Sequence, residues 1–226
     1  MKRTFQCAFA AAALLASSSA WAQNFGEKGQ LAVSAERLFG FTYDSATQST
    51  GNADVTYKTT SLSLLSSAVS GPGLWGGYNS PRVAGDYFVI DHLSVGGALG
   101  YSHWSTSVPG AGNTESTVTG DSFTFAPRVG YLFPLSGIIG IWPRGGFTYR
   151  TFSADQLSAH DFALTLEAPF TFNAFDHVVF WAGPTLDVGL TGSYSTQALP
   201  NGPKQSFDFN ATEFGLQTGM LVYFGL

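Results

Sequence analysis

Charged residues are scarce in this 226-residue chain, because Asp, Glu, Lys and Arg together make up 11% of it. Ordinary soluble proteins carry about 25% charged residues, so this chain has too little charge to cover the outside of a soluble domain of its size. Long apolar runs are also missing: no window of the mature chain approaches the ~18 consecutive apolar residues of a membrane-spanning helix. The alternative that satisfies every backbone group in lipid is a closed barrel of strands.

Cysteine occurs once, at Cys7, in a segment typical of a signal peptide. Lys2 and Arg3 form a basic start, Cys7 to Leu15 an apolar stretch, and Ala20-Trp21-Ala22 an A-x-A cleavage site. We therefore expect residues 1–22 to be a cleaved signal peptide and residues 23–226 to form one exported domain. The mature chain then has no cysteine, which excludes a disulfide framework and a thiolate enzyme.

Basic residues are in the minority, since loss of Lys2 and Arg3 leaves eight basic against fifteen acidic residues. A nucleic-acid partner is not expected, because nucleic-acid binding requires a basic surface. Glycine and aromatic residues are abundant instead, with Gly 27, Phe 20, Tyr 9 and Trp 5. Glycine lets a small barrel pack its interior, and aromatic residues mark the membrane interfaces of transmembrane barrels.

The C-terminal segment, Phe207 to Leu226, alternates to the last residue of the chain. One face is large and apolar, and its members are Phe214, Leu216, Met220, Val222, Phe224 and Leu226. The other face is mostly small or polar, and it includes Glu213, Gly215, Gln217 and Gly219. A water-facing strand would carry Lys, Glu and Thr on its polar face. Glycine there favours a narrow, filled lumen with the apolar face toward lipid.

The same alternation recurs along the chain and predicts an all-β fold, an eight-stranded antiparallel up-and-down transmembrane β-barrel. The predicted strands are Gln30 to Tyr43, Arg82 to Ile90, Leu93 to Trp104, Ser122 to Phe133, Ile139 to Phe152, Asp161 to Phe172, Val178 to Leu190 and Phe207 to Leu226. Predicted loops are long at 44–80, 106–120 and 191–206, medium at 154–160, and short at 91–92, 134–137 and 173–176. We interpret 55–65 as a hairpin extension beyond the membrane.

Two features disagree with simple alternation. Arg37 falls on the lipid side of the first strand, so it either snorkels to head groups or is turned inward by a bulge after Ala35. In that register Leu38 faces the lumen. Pro127, Pro143 and Pro184 lie inside predicted strands, although proline removes a hydrogen-bond donor from the ladder, and each is expected at a bulge.

The inward register collects a set of charged residues. Its members are Glu36, Arg82, Asp86, Arg128, Arg144, Arg150, Glu167, Asp187 and Glu213. One interpretation is a polar pathway for ions or small solutes. The other, which we favour, is a set of ion pairs that fills the lumen, because an eight-stranded barrel is only just wide enough for its own side chains.

With its signal peptide, alternating strands and aromatic C-terminal strand VYFGL, the chain resembles the small outer-membrane β-barrel protein family, of the OmpA and opacity-protein kind. The resemblance implies the outer membrane of a Gram-negative bacterium. It also implies lipid and lipopolysaccharide as surroundings, and the barrel-assembly machinery as a partner. That machinery reads a terminal Phe or Trp, whereas this chain ends Phe224-Gly225-Leu226, so we assign the assembly signal to Tyr223, Phe224 and Leu226. No periplasmic peptidoglycan-binding domain is expected.

The expected function is a structural or surface-interaction role through the extracellular loops. A small porin-like channel is the alternative. His103-Trp104-Ser105, with Glu115 in the next loop, resembles the H-x-S element and acid of outer-membrane lipid A deacylases. An interfacial histidine beside a serine-rich loop is the ordinary explanation of that motif, so we expect no enzyme. A lipid A deacylase-like enzyme that uses His103 and Ser105 is the remote alternative. No metal spacing and no cofactor motif is found.

Overall fold

The computed structural model describes residues 24–49, 54–64, 80–109, 115–154, 157–197 and 203–226. Within these ranges the chain forms twelve strands: β1 (Gln30–Ser49), β2 (Asp54–Leu64), β3 (Arg82–Ile90), β4 (Leu93–Pro109), β5 (Glu115–Tyr131), β6 (Phe133–Pro134), β7 (Ile139–Ile141), β8 (Arg144–Ala154), β9 (Leu157–Glu167), β10 (Phe170–Phe175), β11 (Val178–Gln197) and β12 (Lys204–Gly225). None of the described residues form a helix long and apolar enough to cross a membrane. The predicted signal peptide lies outside the described residues.

The strands close into an antiparallel barrel in which chain neighbours pair with one another. β1 pairs with β3, β3 with β4, β4 with β5, β5 with β8, β8 with β9, β9 with β11 and β11 with β12, which returns to β1. The short strands β6, β7 and β10 continue β5, β8 and β9 toward one end of the barrel. The wall therefore has eight spanning strands, as the alternation predicts.

The prolines inside the wall lie where the ladder is interrupted. Pro143 separates β7 from β8, and Pro169 separates β9 from β10. Pro184 in β11 lies opposite that second break, where its carbonyl accepts a hydrogen bond from the Ala168 N–H at 3.0 Å. Pro127 keeps its register with β4 but has no partner in the β8 ladder. Interruptions in the ladder, rather than the expected bulges, accommodate the missing donors.

Short turns gather at one end of the barrel, which we call the short-turn end. They occupy Asp91–His92, residues 135–138 and Asp176–His177. His92 and His177 have φ values of 70° and 65°, the left-handed conformation that tight turns require. The third turn therefore lies a little later than the predicted 173–176.

The opposite end, here called the hairpin end, carries tall strand hairpins. β4 and β5 remain paired out to Pro109 and Glu115, and β11 and β12 out to Gln197 and Lys204. The prediction of loops at 106–120, 154–160 and 191–206 is therefore wrong for most of those residues. Threonine is a good strand residue, and the serine hydroxyls here bond across strands, as those of Ser102 and Ser122 do at 2.7 Å. The predicted hairpin at 55–65 is confirmed over 55–64, because β2 pairs with β1 beyond the end of β3. Its position outside the membrane stays a prediction.

The outside of the wall is an apolar belt. Large side chains stand exposed on neighbouring strands, as Leu99, Val129 and Phe172 do at 54%, 50% and 47% exposure. A continuous belt of this kind would be unfavourable in water and matches the lipid-facing band of a membrane barrel. The predicted register of β12 is confirmed over its membrane half, since Phe214, Leu216 and Met220 are exposed and Glu213 and Gln217 buried.

Candidate functional site

The lumen is filled at the short-turn end by a cluster of aromatic rings. Phe25, from the residues before β1, inserts among Phe88, Trp142 and Tyr223 at centroid distances of 5.3, 5.5 and 5.3 Å. Val179, Trp181 and other apolar residues complete a buried core there. Residues 24–28, a short lead-in before β1, thus supply the central side chain of an aromatic plug.

Polar contacts fix this lead-in inside the barrel mouth. The side-chain oxygen of Gln30 accepts a hydrogen bond from the Gly26 N–H at 2.8 Å, and its amide donates to the Asn24 carbonyl at 2.8 Å. The Gly26 carbonyl accepts from the N–H of His92 at 2.7 Å. Gly26 has a φ of 101°, and a Cβ there would collide with Leu132, so only glycine fits this turn.

Above the plug lies an ionic layer centred on Glu36. Its carboxylate accepts hydrogen bonds from Arg82 Nε at 2.9 Å, from both terminal nitrogens of Arg128 at 2.7 Å, and from Arg144 Nη1 at 2.8 Å. Alternation brings these four residues to one depth from β1, β3, β5 and β8. Glu36 is completely buried, and such a charge is tolerated only when it is paired and hydrogen-bonded.

Two further carboxylates balance the three arginines of this layer. Glu167 contacts Arg82 Nη2 at 2.6 Å and Arg144 Nη2 at 2.8 Å, while Asp86 pairs with Arg128. Arg144 also lies between two indole rings, 4.8 Å from the centroid of Trp142 and 4.9 Å from that of Trp181. The arginines and carboxylates of the layer therefore match in number.

Little open space remains within the ionic layer. The cavity beside Arg82, Arg128, Arg144 and Glu167 has a volume of about 10 Å³. A cavity needs a volume of roughly 10–15 Å³ to hold one water molecule. This cavity therefore has room for one water molecule at most.

A bulge in β1 adds an arginine to the lumen. The register with β12 shifts between Glu36 and Phe39, and Arg37 adopts a φ of 55°. Its side chain is buried and contacts Asp187 Oδ2 at 3.0 Å and Glu213 Oε1 at 3.8 Å. Of the two explanations for Arg37, the inward bulge is therefore the one observed.

The same bulge turns the side chain of the next residue, Leu38, to the opposite face of the strand. Leu38 was expected to face the lumen, but it lines an apolar cleft on the outer wall with Phe172, Phe180 and Met220. The expectation for Leu38 is wrong because the two extra residues of the bulge interrupt the alternation.

A separate ion pair lies nearer the hairpin end. Arg150 and Asp161 are buried cross-strand neighbours, and two parallel bonds of 3.0 Å join the guanidinium to the carboxylate. Asp161 is absent from the predicted charge set, although it has the same inward register as Thr165 and Glu167. All nine predicted lumen charges lie in the interior, and Arg37 and Asp161 join them.

The His103 motif lies outside the lumen, on the lipid-facing side of the hairpin formed by β4 and β5. His103 Nδ1 is 2.9 Å from Asp121 Oδ1, and the Tyr101 hydroxyl donates to the same oxygen at 2.6 Å. These two hydrogen bonds hold the pKa of Asp121 below its ordinary value of 3.8, and the bond from Tyr101 has the larger effect. Glu115 pairs with Pro109, six positions further along the hairpin, so it is not the acid beside His103.

The C-terminal residues divide between the two faces of the wall. Tyr223 is buried in the aromatic plug, whereas Leu226 is exposed beyond the end of β12. The Leu226 N–H donates to the Gly29 carbonyl at 3.1 Å, which ties the chain end to the start of β1. An assembly role for Tyr223, Phe224 and Leu226 stays a prediction.

Metal ligands do not gather among the side chains that the structure describes: no group of three His, Cys, Asp or Glu residues is arranged to hold an ion. His92 and His177 lie at separate turns, and His160 is exposed on β9. The absence of a cofactor stays a prediction.

An apolar outer belt, a closed ladder of eight spanning strands and short turns at one end together define the class of the fold, that of small outer-membrane β-barrels. OprG from Pseudomonas aeruginosa shares it with a TM-score of 0.56 at 13% identity, over 90% of this chain and 100% of that one. The outer membrane protein AlkL gives 0.56 at 12% identity, over 93% and 97%.

The outer membrane protease OmpT from Escherichia coli matches more loosely, with a TM-score of 0.44 at 7% identity over 89% of this chain and 98% of that one. No protein-family model and no curated protein matches the chain. At these identities the comparisons establish the fold and leave function to the site itself.

Proposed function

We propose that this chain is an integral outer-membrane protein of a Gram-negative bacterium, with a closed lumen and a structural or surface-interaction role. Its apolar belt lies in lipid, its short turns face the periplasm, and its hairpins stand outside among lipopolysaccharide head groups. Export through a cleaved signal peptide and insertion by the barrel-assembly machinery belong to the same proposal.

The filled lumen is the observation that carries this proposal. Two different barriers lie in series: the aromatic plug around Phe25, and the ionic layer around Glu36 with its cavity of about 10 Å³. Each arginine of the layer contacts at least two carboxylates. Arginine forms restrained bonds to carboxylates, in contrast to the mobile charges of a wet channel.

The hairpin end offers the surface for interaction. Ala159, Tyr194 and Phe209 form a buried cluster between the hairpins, and the rings of Tyr194 and Phe207 stack at 5.0 Å. The hairpins therefore have a small core of their own, which supports a defined outer surface. The binding partner of that surface is left open.

Planar-bilayer recording tests the closed lumen against the channel alternative. The refolded barrel is expected to give no discrete conductance steps. Phe25→Ala is expected to give no conductance steps either, because the ionic layer still blocks the lumen.

Stable conductance of the unmodified protein that changes when Arg128 or Glu167 is neutralised would establish the channel instead. Lys58→Gln, which neutralises a charge on the exposed strand β2, is the matched control. It should leave any such conductance unchanged.

A further inference from the structure

The charges of the lumen do not balance as a whole. In the described part of the chain, the interior holds five arginines and seven carboxylates. They are Arg37, Arg82, Arg128, Arg144 and Arg150, and Glu36, Asp44, Asp86, Asp161, Glu167, Asp187 and Glu213. Asp44 belongs to this set because Thr42 and Ala46, two residues to either side of it on β1, are buried. The ionic layer has three of each sign and one further pair lies nearer the hairpin end, so the excess of two negative charges lies around Arg37.

Three of these carboxylates lie side by side on neighbouring strands. Glu213 on β12 is the direct partner of Asp44 on β1 and of Asp187 on β11. Directly opposed residues have Cβ atoms about 4.5–5.5 Å apart, and like charges there are destabilising. Asp187 accepts hydrogen bonds from Arg37 Nη2 at 3.0 Å and from the Thr165 hydroxyl. Arg37 Nη1 is 3.8 Å from Glu213 Oε1, beyond hydrogen-bond distance.

Buried oxygen atoms beside Asp44 have no donor. Neither carboxylate oxygen of Glu213 accepts a hydrogen bond within the described ranges, although the side chain is 1% exposed. Gln217 is completely buried, and both atoms of its amide are likewise unbonded there. This amide leans along β12 toward Glu213, because a Cβ on the intervening Gly215 would lie 3.3 Å from Gln217 Nε2. Buried polar groups normally have a partner, so these oxygens point to a ligand.

Two facing carboxylates require positive charge between them, which a shared proton or a metal ion supplies. A shared proton offsets one of the two excess charges and makes no use of the Gln217 amide. A divalent cation offsets both, and carboxylate and amide oxygens are ligands of Ca²⁺. Ca²⁺ accepts about six to eight oxygens in irregular geometry, whereas Mg²⁺ demands a near-ideal octahedron. Asp44 is partly exposed, which gives an ion a path to the pair from the hairpin end.

We propose that Asp44, Glu213 and Gln217 bind a calcium ion in the lumen, with water molecules completing its coordination. Its ligands come from β1 and β12, the first and last strands, so the ion clamps the seam at which the barrel closes. Two carboxylates and one amide form this set. It therefore differs from the groups of three His, Cys, Asp or Glu residues that the described part of the chain lacks.

The test uses the full mature chain, refolded in micelles of a nonionic detergent without phosphate and stripped of metal ions with EDTA. Calorimetric titration with CaCl₂ at neutral pH is expected to show one calcium ion bound per chain. Urea unfolding, followed by tryptophan fluorescence, should shift to higher urea as CaCl₂ is raised, because a ligand that binds only the folded state stabilises it.

Two variants remove ligands from the ion. Asp44→Asn and Gln217→Met should each weaken calcium binding about tenfold or more, because Ca²⁺ affinity depends on the charge and number of its ligands. Asp208→Asn is the matched control, since Asp208 is an exposed carboxylate on the same strand, β12, and it should leave the affinity unchanged. Each variant is first shown to be folded by its altered gel migration without boiling.

A folded protein that binds no calcium would overturn the proposal. Binding that both Asp44→Asn and Gln217→Met leave unchanged would overturn it equally, since the ion would then lie elsewhere. Infrared spectroscopy tests the proton alternative. A protonated-carboxyl band at neutral pH that Asp44→Asn removes and CaCl₂ does not would show that a proton holds the pair, against the proposal.

Discussion

Replacing Glu36 with glutamine should destabilise the barrel more than any exposed charge substitution. Glutamine keeps the shape of the side chain but removes the charge that three guanidinium groups share. The ionic layer would then hold Arg82, Arg128 and Arg144 against Asp86 and Glu167 alone. Breaking a buried ion pair by removing one partner costs about 3–5 kcal/mol, because an uncompensated charge stays buried.

The local contacts support the upper part of that range. Glu36 accepts four hydrogen bonds from the three arginines at 2.7–2.9 Å and a further one from the Ser34 hydroxyl at 3.1 Å. Charge-assisted bonds are each worth roughly 1.5–3 kcal/mol, although such values are not additive within one network. The side chain is completely buried, so solvent does not screen the loss.

Urea unfolding of the refolded barrel in lipid vesicles, followed by tryptophan fluorescence, measures the effect. Asp208→Asn is the matched control on the exposed outer part of β12, and it should change the free energy of unfolding by less than about 0.5 kcal/mol. If Glu36→Gln and Asp208→Asn proved equally mild, the charges would act independently in water. The filled-lumen model would then be refuted.

Three further results are expected. In a double-mutant cycle of Arg150→Met and Asp161→Leu, the double variant should lose less than the sum of the single losses, with a coupling of about 0.5–3 kcal/mol in urea unfolding. Leu164→Arg on the lipid face should cost about 2–4 kcal/mol in the same assay, and no loss there would contradict the register. The Asp121 carboxyl should titrate below 3.8 by NMR. Its contact with Tyr101 is therefore present above that pH and lost as the pH falls further, and Tyr101→Phe should raise the titration toward the ordinary value.

The strand register could be predicted because lipid outside and a narrow lumen inside impose opposite chemistry on alternate residues. That rule correctly predicts that Glu36, Arg128 and Glu167 face the lumen. Arg37 does not, because its direction depends on a bulge stabilised by Asp187 and Glu213, which are more than a hundred residues away in the chain. Alternation alone cannot locate a bulge whose partners are so distant.

Two other features depend on contacts that a single strand pattern does not contain. Phe25 lies before the first strand, and its inward position follows from the space among Phe88, Trp142 and Tyr223. Asp121 becomes the partner of His103 only through the exact pairing of β4 with β5. The sequence places His103 and Ser105 on the outer face correctly, but without the register it does not show which carboxylate lies beside His103.

For the hairpins, polar composition alone predicts the wrong secondary structure. Serine- and threonine-rich segments were expected to be loops, yet Tyr194, Phe207 and Phe209 within them provide a small apolar core, and strand pairing continues to Gln197 and Lys204. A surface built from paired strands loses less conformational entropy on binding than a flexible loop does, because its backbone is already ordered. This ordered hairpin end is the part of the barrel where we expect selective contacts with other molecules.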